Sequence, residues 1–265
     1  MLSTLRKFLR PEARPDGRAA AAVQSEPPAW SPSRVYAVGD VHGRLDLLDA
    51  LLARITEDRR DYDGRPSLVF LGDLIDRGPA SAGVVQRVVE LTRDPAWDVT
   101  VLKGNHEEAL LLFLDQPEFG PTWAEHGGGA TLAAYGVRPP ASRTDTAAWS
   151  AARDAFAEGL PADHLELYRS MALWAERGDY LFVHAGVRPG VPLEAQDPKD
   201  LLWIRGEFIA APRAAEHVVV HGHTPVEQAQ LTRWRIGVDT GAYATGLLTA
   251  VRLDGTDQQL IQARA

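Results

Sequence analysis

A two-sheet α/β sandwich flanked by helices, with one helical insert, is the fold this sequence predicts. Three observations carry that prediction. Early in the chain a unit repeats in which a short β-branched run ends in Gly plus a polar residue and an amphipathic segment follows, the punctuation of βαβ units. Residues 117–172 then show mainly helical patterning, broken at Gly127-Gly128-Gly129 and Arg138-Pro139-Pro140. Four later strand candidates lie close together without long helices between them, which suggests a second sheet, mixed or largely antiparallel.

The elements follow in order. Residues 35–38 make a first strand, Gly39-Asp40-Val41-His42-Gly43 its exit, and Leu45, Leu48, Leu52 and Ile55 the apolar stripe of a helix. The second unit runs through residues 68–71, Gly72-Asp73 and a helix over about 80–92. The third runs through residues 99–102, Gly104-Asn105-His106 and a helix carrying Leu110 and Leu114. These three strands are expected to be parallel and buried. The insert at 117–172 holds no metal-type cluster and is placed as a cap over the site. Strands are then expected at 180–183, after the turn signal Arg177-Gly178-Asp179, and at 218–220, 233–238 and 247–253. Residues 1–33, rich in Pro among small and charged residues, read as a flexible arm ahead of a single domain at 34–265.

Composition sets bounds. With 265 residues, 45% of them hydrophobic and 24% charged, the chain falls in the ordinary globular range. A net charge of −8 argues against a nucleic-acid-binding surface, which needs clustered positive charge. Zero cysteines exclude disulfides, thiolate metal sites and cysteine nucleophiles. No apolar run approaches the roughly 20 residues that span a bilayer, and no secretory signal is evident, so the cytoplasm is the expected compartment. The oligomeric state leaves no mark in the sequence.

In an open α/β sheet, residues just past the carboxyl ends of strands converge on one crevice. Asp40 and His42, Asp73 with Asp76-Arg77, Asn105 and His106, His184, and His221 with His223 all occupy such positions. Singly, each has a bland reading as a helix cap or a satisfied polar residue. Together they do not, because five of only eight histidines fall at strand ends. Such ligands suit divalent ions of zinc, iron, nickel, manganese or magnesium type. Asp40 and His42 can point at one ion, Asn105, His184 and one of His221 or His223 at another, with Asp73 between them.

The segments GDVHG from Gly39, GDLIDRG from Gly72, GNHE from Gly104, HAG from His184 and GHT from Gly222 resemble the phosphoprotein phosphatase family of metallophosphoesterases, most closely its compact bacterial and bacteriophage-type members. The resemblance implies a metallophosphoesterase sandwich and two divalent metal ions, with Mn first in order and Fe, Zn or Ni as further candidates. Asp40, His42 and Asp73 would hold one ion, and Asp73, Asn105, His184 and His223 the other. It selects His223 over His221, whose role stays open. It also implies His106 as general acid, Asp76 as the carboxylate orienting it, and Arg77 and Arg205 as phosphoryl ligands. Pro225 stands where other metallophosphoesterases have a further ligand His, and Lys103 where an Arg commonly precedes GNHE. Tyr243 is either a site residue or core.

The leading expectation is hydrolysis of phosphomonoesters, with phosphoserine or phosphothreonine in proteins as substrates, by in-line attack of a metal-bridging hydroxide. The alternative is a dinucleoside polyphosphate hydrolase on the same scaffold. In sequences resembling symmetrical diadenosine tetraphosphatases the position of Asp76 is usually not acidic, so acidic Asp76 argues against this alternative. A catalytically silent binding protein, the remaining class, should lack a ligand or the acid, and none is missing.

Overall fold

The computed structural model describes residues 28–265. The arm proposed for residues 1–33 falls largely outside the described residues, and its last part is not free of the fold. The first strand, β1, already begins at Ser31 (Ser31–Val38), and the Trp30 amide donates to Asp179 at 2.8 Å.

The chain continues with α1 (Leu45–Asp58), β2 (Ser67–Phe70), α2 (Ser81–Arg93), β3 (Asp98–Val101) and α3 (Asn105–Asp115). The insert comprises α4 (Gly120–Trp123), α5 (Gly129–Ala134), α6 (Thr146–Gly159) and α7 (Ala162–Ser170). Next come β4 (Trp174–Arg177), β5 (Tyr180–Val183), two short helices α8 (Pro198–Trp203) and α9 (Gly206–Ala210), and β6 (Val218–His221). The chain ends with β7 (Gln230–Leu231), β8 (Arg235–Gly237), α10 (Ala242–Thr245), β9 (Leu247–Gly255) and β10 (Asp257–Arg264).

Two five-stranded mixed sheets result, in the orders β10-β9-β1-β2-β3 and β4-β5-β6-β8-β7. The strands β1, β2 and β3 are parallel as expected, but β3 is an edge strand and only its last residue is buried. The second sheet is mixed, with β5, β6 and β8 parallel and β4 and β7 antiparallel at its edges. The strand at 247–253 does not belong to that sheet. It pairs antiparallel with β1, Val38 opposite Ala250, and with β10, which the pattern of residues 257–264 did not reveal. A strand buried along five consecutive residues needs partners on both edges and cover on both faces, and only an interior place in a sheet provides these. Its hairpin to β10 turns at Gly255-Thr256, between the paired Asp254 and Asp257, with Gly255 at φ 56°, and a glycine leading a two-residue loop is a signal present in the sequence.

Strand residues alternate between two cores. Tyr36, Val38, Leu68 and Phe70 face α1, α2 and the insert, whereas Val35, Ala37, Val69 and Leu71 meet Tyr180, Phe182, Val218 and Val220 of the other sheet. A third cluster packs Leu181, Val183 and Val219 against Leu201, Ile204 and Phe208 on the outer side. The layers are therefore helix, sheet, sheet, helix, and the parallel strands of each sheet end at the loops that carry the polar residues. No helix among the described residues is long and apolar enough to cross a membrane.

Candidate metal centre

Three strand exits are laced together by backbone hydrogen bonds. The amides of Val41 and His42 donate to the Asp73 carbonyl at 3.1 and 2.9 Å. The Glu107 carboxylate, fully buried, accepts from the amides of Asp73, Leu74 and Gly104 at 2.8 to 2.9 Å. Gly104 is required there because a Cβ would collide with the Asp73 carboxylate, and Gly222 because one would collide with Asp40. Among the described residues, five non-glycines hold a positive φ: His42, Asp73, Asp76, Arg77 and His223. Each is a predicted site residue. Left-handed backbone is costly for non-glycines and is retained where the surroundings over-determine it, which turns these side chains inward at the strand ends.

All ten predicted residues enter one network. Ligand atoms of His42, Asp73 and His106 lie within 4.8 Å of one another, and so do those of Asp73, His184 and His223. Asp73 is common to both groups. His42 Nδ1 donates to the Ile75 carbonyl at 2.8 Å and His184 Nδ1 to the Leu71 carbonyl at 2.8 Å. Both bonds leave Nε2 unprotonated and turned towards Asp73, 3.6 and 3.5 Å away, which is how a metal-ligating imidazole is oriented. Asn105 Oδ1 lies 2.9 Å from His184 Nε2. Asp40 is in neither group of three; its carboxylate instead accepts the His223 amide at 3.1 Å.

The electrostatics fit a pair of divalent cations. Burial opposes the charge of Asp73, but the surrounding imidazoles outweigh it and hold the carboxyl well below the usual range. Burial pushes Asp40 well above the usual range, reinforced by Asp239 and Asp73, and raises Asp239 to about 6 and Glu107 to about 7. Burial likewise lowers His42 and His223 to about 3 and depresses His184, so these imidazoles are neutral and free to bind metal. Four buried acids stand around these neutral imidazoles, and two divalent ions would add positive charge beyond that of the Arg77 and Arg205 guanidinium groups.

Beside this cluster stands an acid–base pair. His106 Nδ1 donates to Asp76 Oδ2 at 2.6 Å, and Asp76 also accepts from Trp123 Nε1 at 2.9 Å and Thr131 Oγ1 at 2.6 Å. The insert thus reaches the site by holding Asp76, and the Gly127 carbonyl accepts the Arg77 amide at 3.1 Å. Burial acts against protonation of His106, but Asp73 and Asp76 outweigh it, so its pKa is raised. Arg77 Nη2 lies 3.1 Å from His106 Nε2, and Arg205 Nε donates to His223 Nε2 at 3.0 Å. Tyr243 is a site residue, 41% exposed, with its ring 5.3 Å from that of His42 and 4.5 Å from the Arg77 guanidinium. His221 points away, edge-on to Phe208 at 5.0 Å, with Nδ1 on the Gly222 carbonyl.

Sequence reasoning missed four contributors. Glu107 stood in the quoted GNHE segment without a role, and Asp239 ends the run after β8, so the strand-end rule finds it. Trp123 and Thr131 carry no local signal. Two clefts, one containing Leu181 and Val187 and the other Trp234 and Gln258, include none of these residues.

The model of the calcineurin-like phosphoesterase family matches residues 33–246. The chain belongs to that family. Among relatives of this calcineurin-like phosphoesterase is a protein of Bacillus velezensis named bis(5'-nucleosyl)-tetraphosphatase PrpE [asymmetrical], 28% identical over 237 residues, covering 81% of this chain and 87% of that protein. A symmetrical bis(5'-nucleosyl)-tetraphosphatase of Acidovorax ebreus is 36% identical over 160 residues, covering 58% of this chain and 44% of that one. Of solved structures, a putative diadenosine tetraphosphatase is similar with a TM-score of 0.61 and 20% identity, covering 87% of this chain and 94% of that one. A serine/threonine phosphatase of Saccharomyces cerevisiae has a TM-score of 0.53 and 15% identity, covering 88% and 80%. At those identities the two structures show a shared fold.

Proposed function

We propose that this phosphoesterase hydrolyses dinucleoside polyphosphates, cleaving a phosphoanhydride between two nucleosides. The observation that carries the reading is two ligand groups sharing Asp73 with a guanidinium at each. It is joined by relatives, aligned over most of both lengths, that are named asymmetrical bis(5'-nucleosyl)-tetraphosphatases. This reverses the order of the two expectations drawn from sequence. Acidic Asp76 tells against the symmetrical type alone, and the relatives aligned over most of both lengths are named asymmetrical.

In this reading Asp40, His42 and Asp73 hold one divalent ion and Asp73, Asn105, His184 and His223 the other, with manganese, iron, zinc and nickel all compatible with nitrogen and oxygen ligands. When bound, such ions supply polarisation of phosphoryl oxygens and acidify a water. Arg77 and Arg205 bind the non-bridging oxygens and stabilise the charge that develops on them. His106 gives up a proton at Nε2 to the departing oxygen, while Asp76 accepts at Nδ1 and stabilises the imidazolium. Arg77 must then leave Nε2, because both groups are donors once that atom is protonated.

One observation favours a second reading, the phosphoprotein phosphatase branch acting on phosphoserine or phosphothreonine. A nucleotide phosphate, with a second pKa of about 6, needs little proton donation to depart at neutral pH, whereas a serine alkoxide depends on it. The well-held Asp76–His106 pair suits the harder leaving group. Comparing kcat/KM for diadenosine tetraphosphate and a phosphothreonine peptide with manganese decides. Preference for the dinucleotide is expected, and turnover of the peptide alone would reverse the assignment. Inactivity on both with manganese, nickel, iron and zinc would restore the silent binding protein.

A further inference from the structure

We infer that Trp203 and Tyr243 are stacking platforms for the two nucleobases of a dinucleoside polyphosphate, one on each side of the metal centre, an inference that rests on the function proposed above. Among the described residues the exposed large hydrophobic side chains are Trp30, Trp174, Trp203, Leu231 and Tyr243. Trp30 precedes β1, and Trp174 and Leu231 lie in the edge strands β4 and β7. The other two border the site.

Their placement is paired. Tyr243 stands edge-on to His42 of the first ligand group at 5.3 Å and lies against the Arg77 guanidinium at 4.5 Å. Trp203 stands edge-on to His223 of the second group at 6.2 Å, two residues before Arg205, whose Nε donates to that same His223. Each ligand group is thus flanked by one guanidinium and one exposed aromatic ring. Trp203 is held in place although 45% exposed, because its Nε1 donates to Glu108 Oε2 at 2.7 Å and so ties α8 to α3. A fixed aromatic face turned to solvent costs apolar exposure, and a stacked base would cover it.

Two ligand groups that share Asp73 therefore each have an exposed ring and a guanidinium against them. That pairing matches a ligand with a polyanionic middle and an aromatic group at each end. A phosphopeptide or a mononucleotide would engage one side. Every base has a π face, so two stacking rings accept different nucleosides, and a ring beside a guanidinium stacks well.

The test compares diadenosine tetraphosphate with inorganic tripolyphosphate, which offers the same anhydride without bases, using the metal-loaded full chain. Trp203→Ala and Tyr243→Ala should each lower the ratio of kcat/KM for the dinucleotide to that for tripolyphosphate by about tenfold, mainly through KM. Trp203→Phe and Tyr243→Phe should restore most of the ratio. Equal losses on both substrates, or an unchanged ratio, would overturn the platforms while leaving the proposed activity standing. Failure of the unsubstituted chain to turn over the dinucleotide would instead remove the activity, and the platforms with it.

Discussion

Replacing Asp76 by Asn isolates the charge of the acid–base pair from its geometry. The Asp76 carboxylate receives His106 Nδ1 and Trp123 Nε1 on Oδ2 and the Thr131 hydroxyl on Oδ1. An amide can keep its oxygen towards His106 and Trp123 and turn its NH2 towards Thr131 Oγ1, whose own hydroxyl then donates to Ser81 Oγ, 3.0 Å away. What is lost is the negative charge facing a protonated His106. A charge-assisted hydrogen bond contributes about 1.5–3 kcal/mol against about 1 for a neutral one, so the imidazolium loses about 0.5–2 kcal/mol. That corresponds to a fall in turnover of roughly 2- to 30-fold wherever proton donation limits the rate. Phenyl phosphate, whose phenolate leaves poorly, should show the full loss, and p-nitrophenyl phosphate, whose leaving group needs less help, a smaller one. The His106 pKa is raised by Asp73 and Asp76 against burial, so removing one of these charges lowers it and moves the alkaline limb of the phenyl phosphate profile to lower pH. Both esters losing rate equally, or phenyl phosphate turnover unchanged, would refute the assignment of Asp76 as the partner of a proton donor.

Two further outcomes follow from the same geometry. Because Asp73 belongs to both ligand groups, Asp73→Ala should abolish binding of both ions in a manganese titration, whereas His184→Ala should weaken mainly one; an Asp73→Ala protein that binds one ion at unchanged affinity would contradict the shared role. His221 is buried with Nε2 unpartnered, and burial lowers its pKa to about 4. Below its unfolded value the unfolded chain takes up a proton that the folded chain refuses, so this residue destabilises the fold progressively as pH falls. His221→Leu should therefore gain about 2 kcal/mol relative to the parent between pH 7.5 and pH 5, read from denaturant unfolding of the two proteins; a pH-independent difference would show that the imidazole takes up its proton as readily in the fold as in the unfolded chain.

Much of the site was readable in the chain because its chemistry is local to strand exits. A short strand, a glycine and a polar residue place Asp40, Asp73, Asn105 and His184 where parallel strands end, and parallel strands end together. The choice of His223 over His221 is likewise a local matter made visible in three dimensions. His221 is the last residue of β6 and its ring packs on Phe208, while His223 at φ 62° turns its ring into the centre. Sheet membership was not readable, because β9 is apolar on both faces and nothing local says which of two sheets will take it. Its pairing with β1 joins residues more than two hundred positions apart.

By itself, then, the sequence determined the α/β architecture, the gathering of candidate metal ligands at strand ends and the absence of thiol chemistry, since periodicity, turn residues and composition act over a few residues. Only the tertiary structure decided that Asp73 stands between two ligand groups, that Asp40 faces the His223 amide and neighbours Asp239, and that Trp123 and Thr131 of the insert grip Asp76. Those contacts depend on how loops far apart in the chain meet once the cores are packed, and hydrogen-bond geometry between distant loops has no periodicity to read.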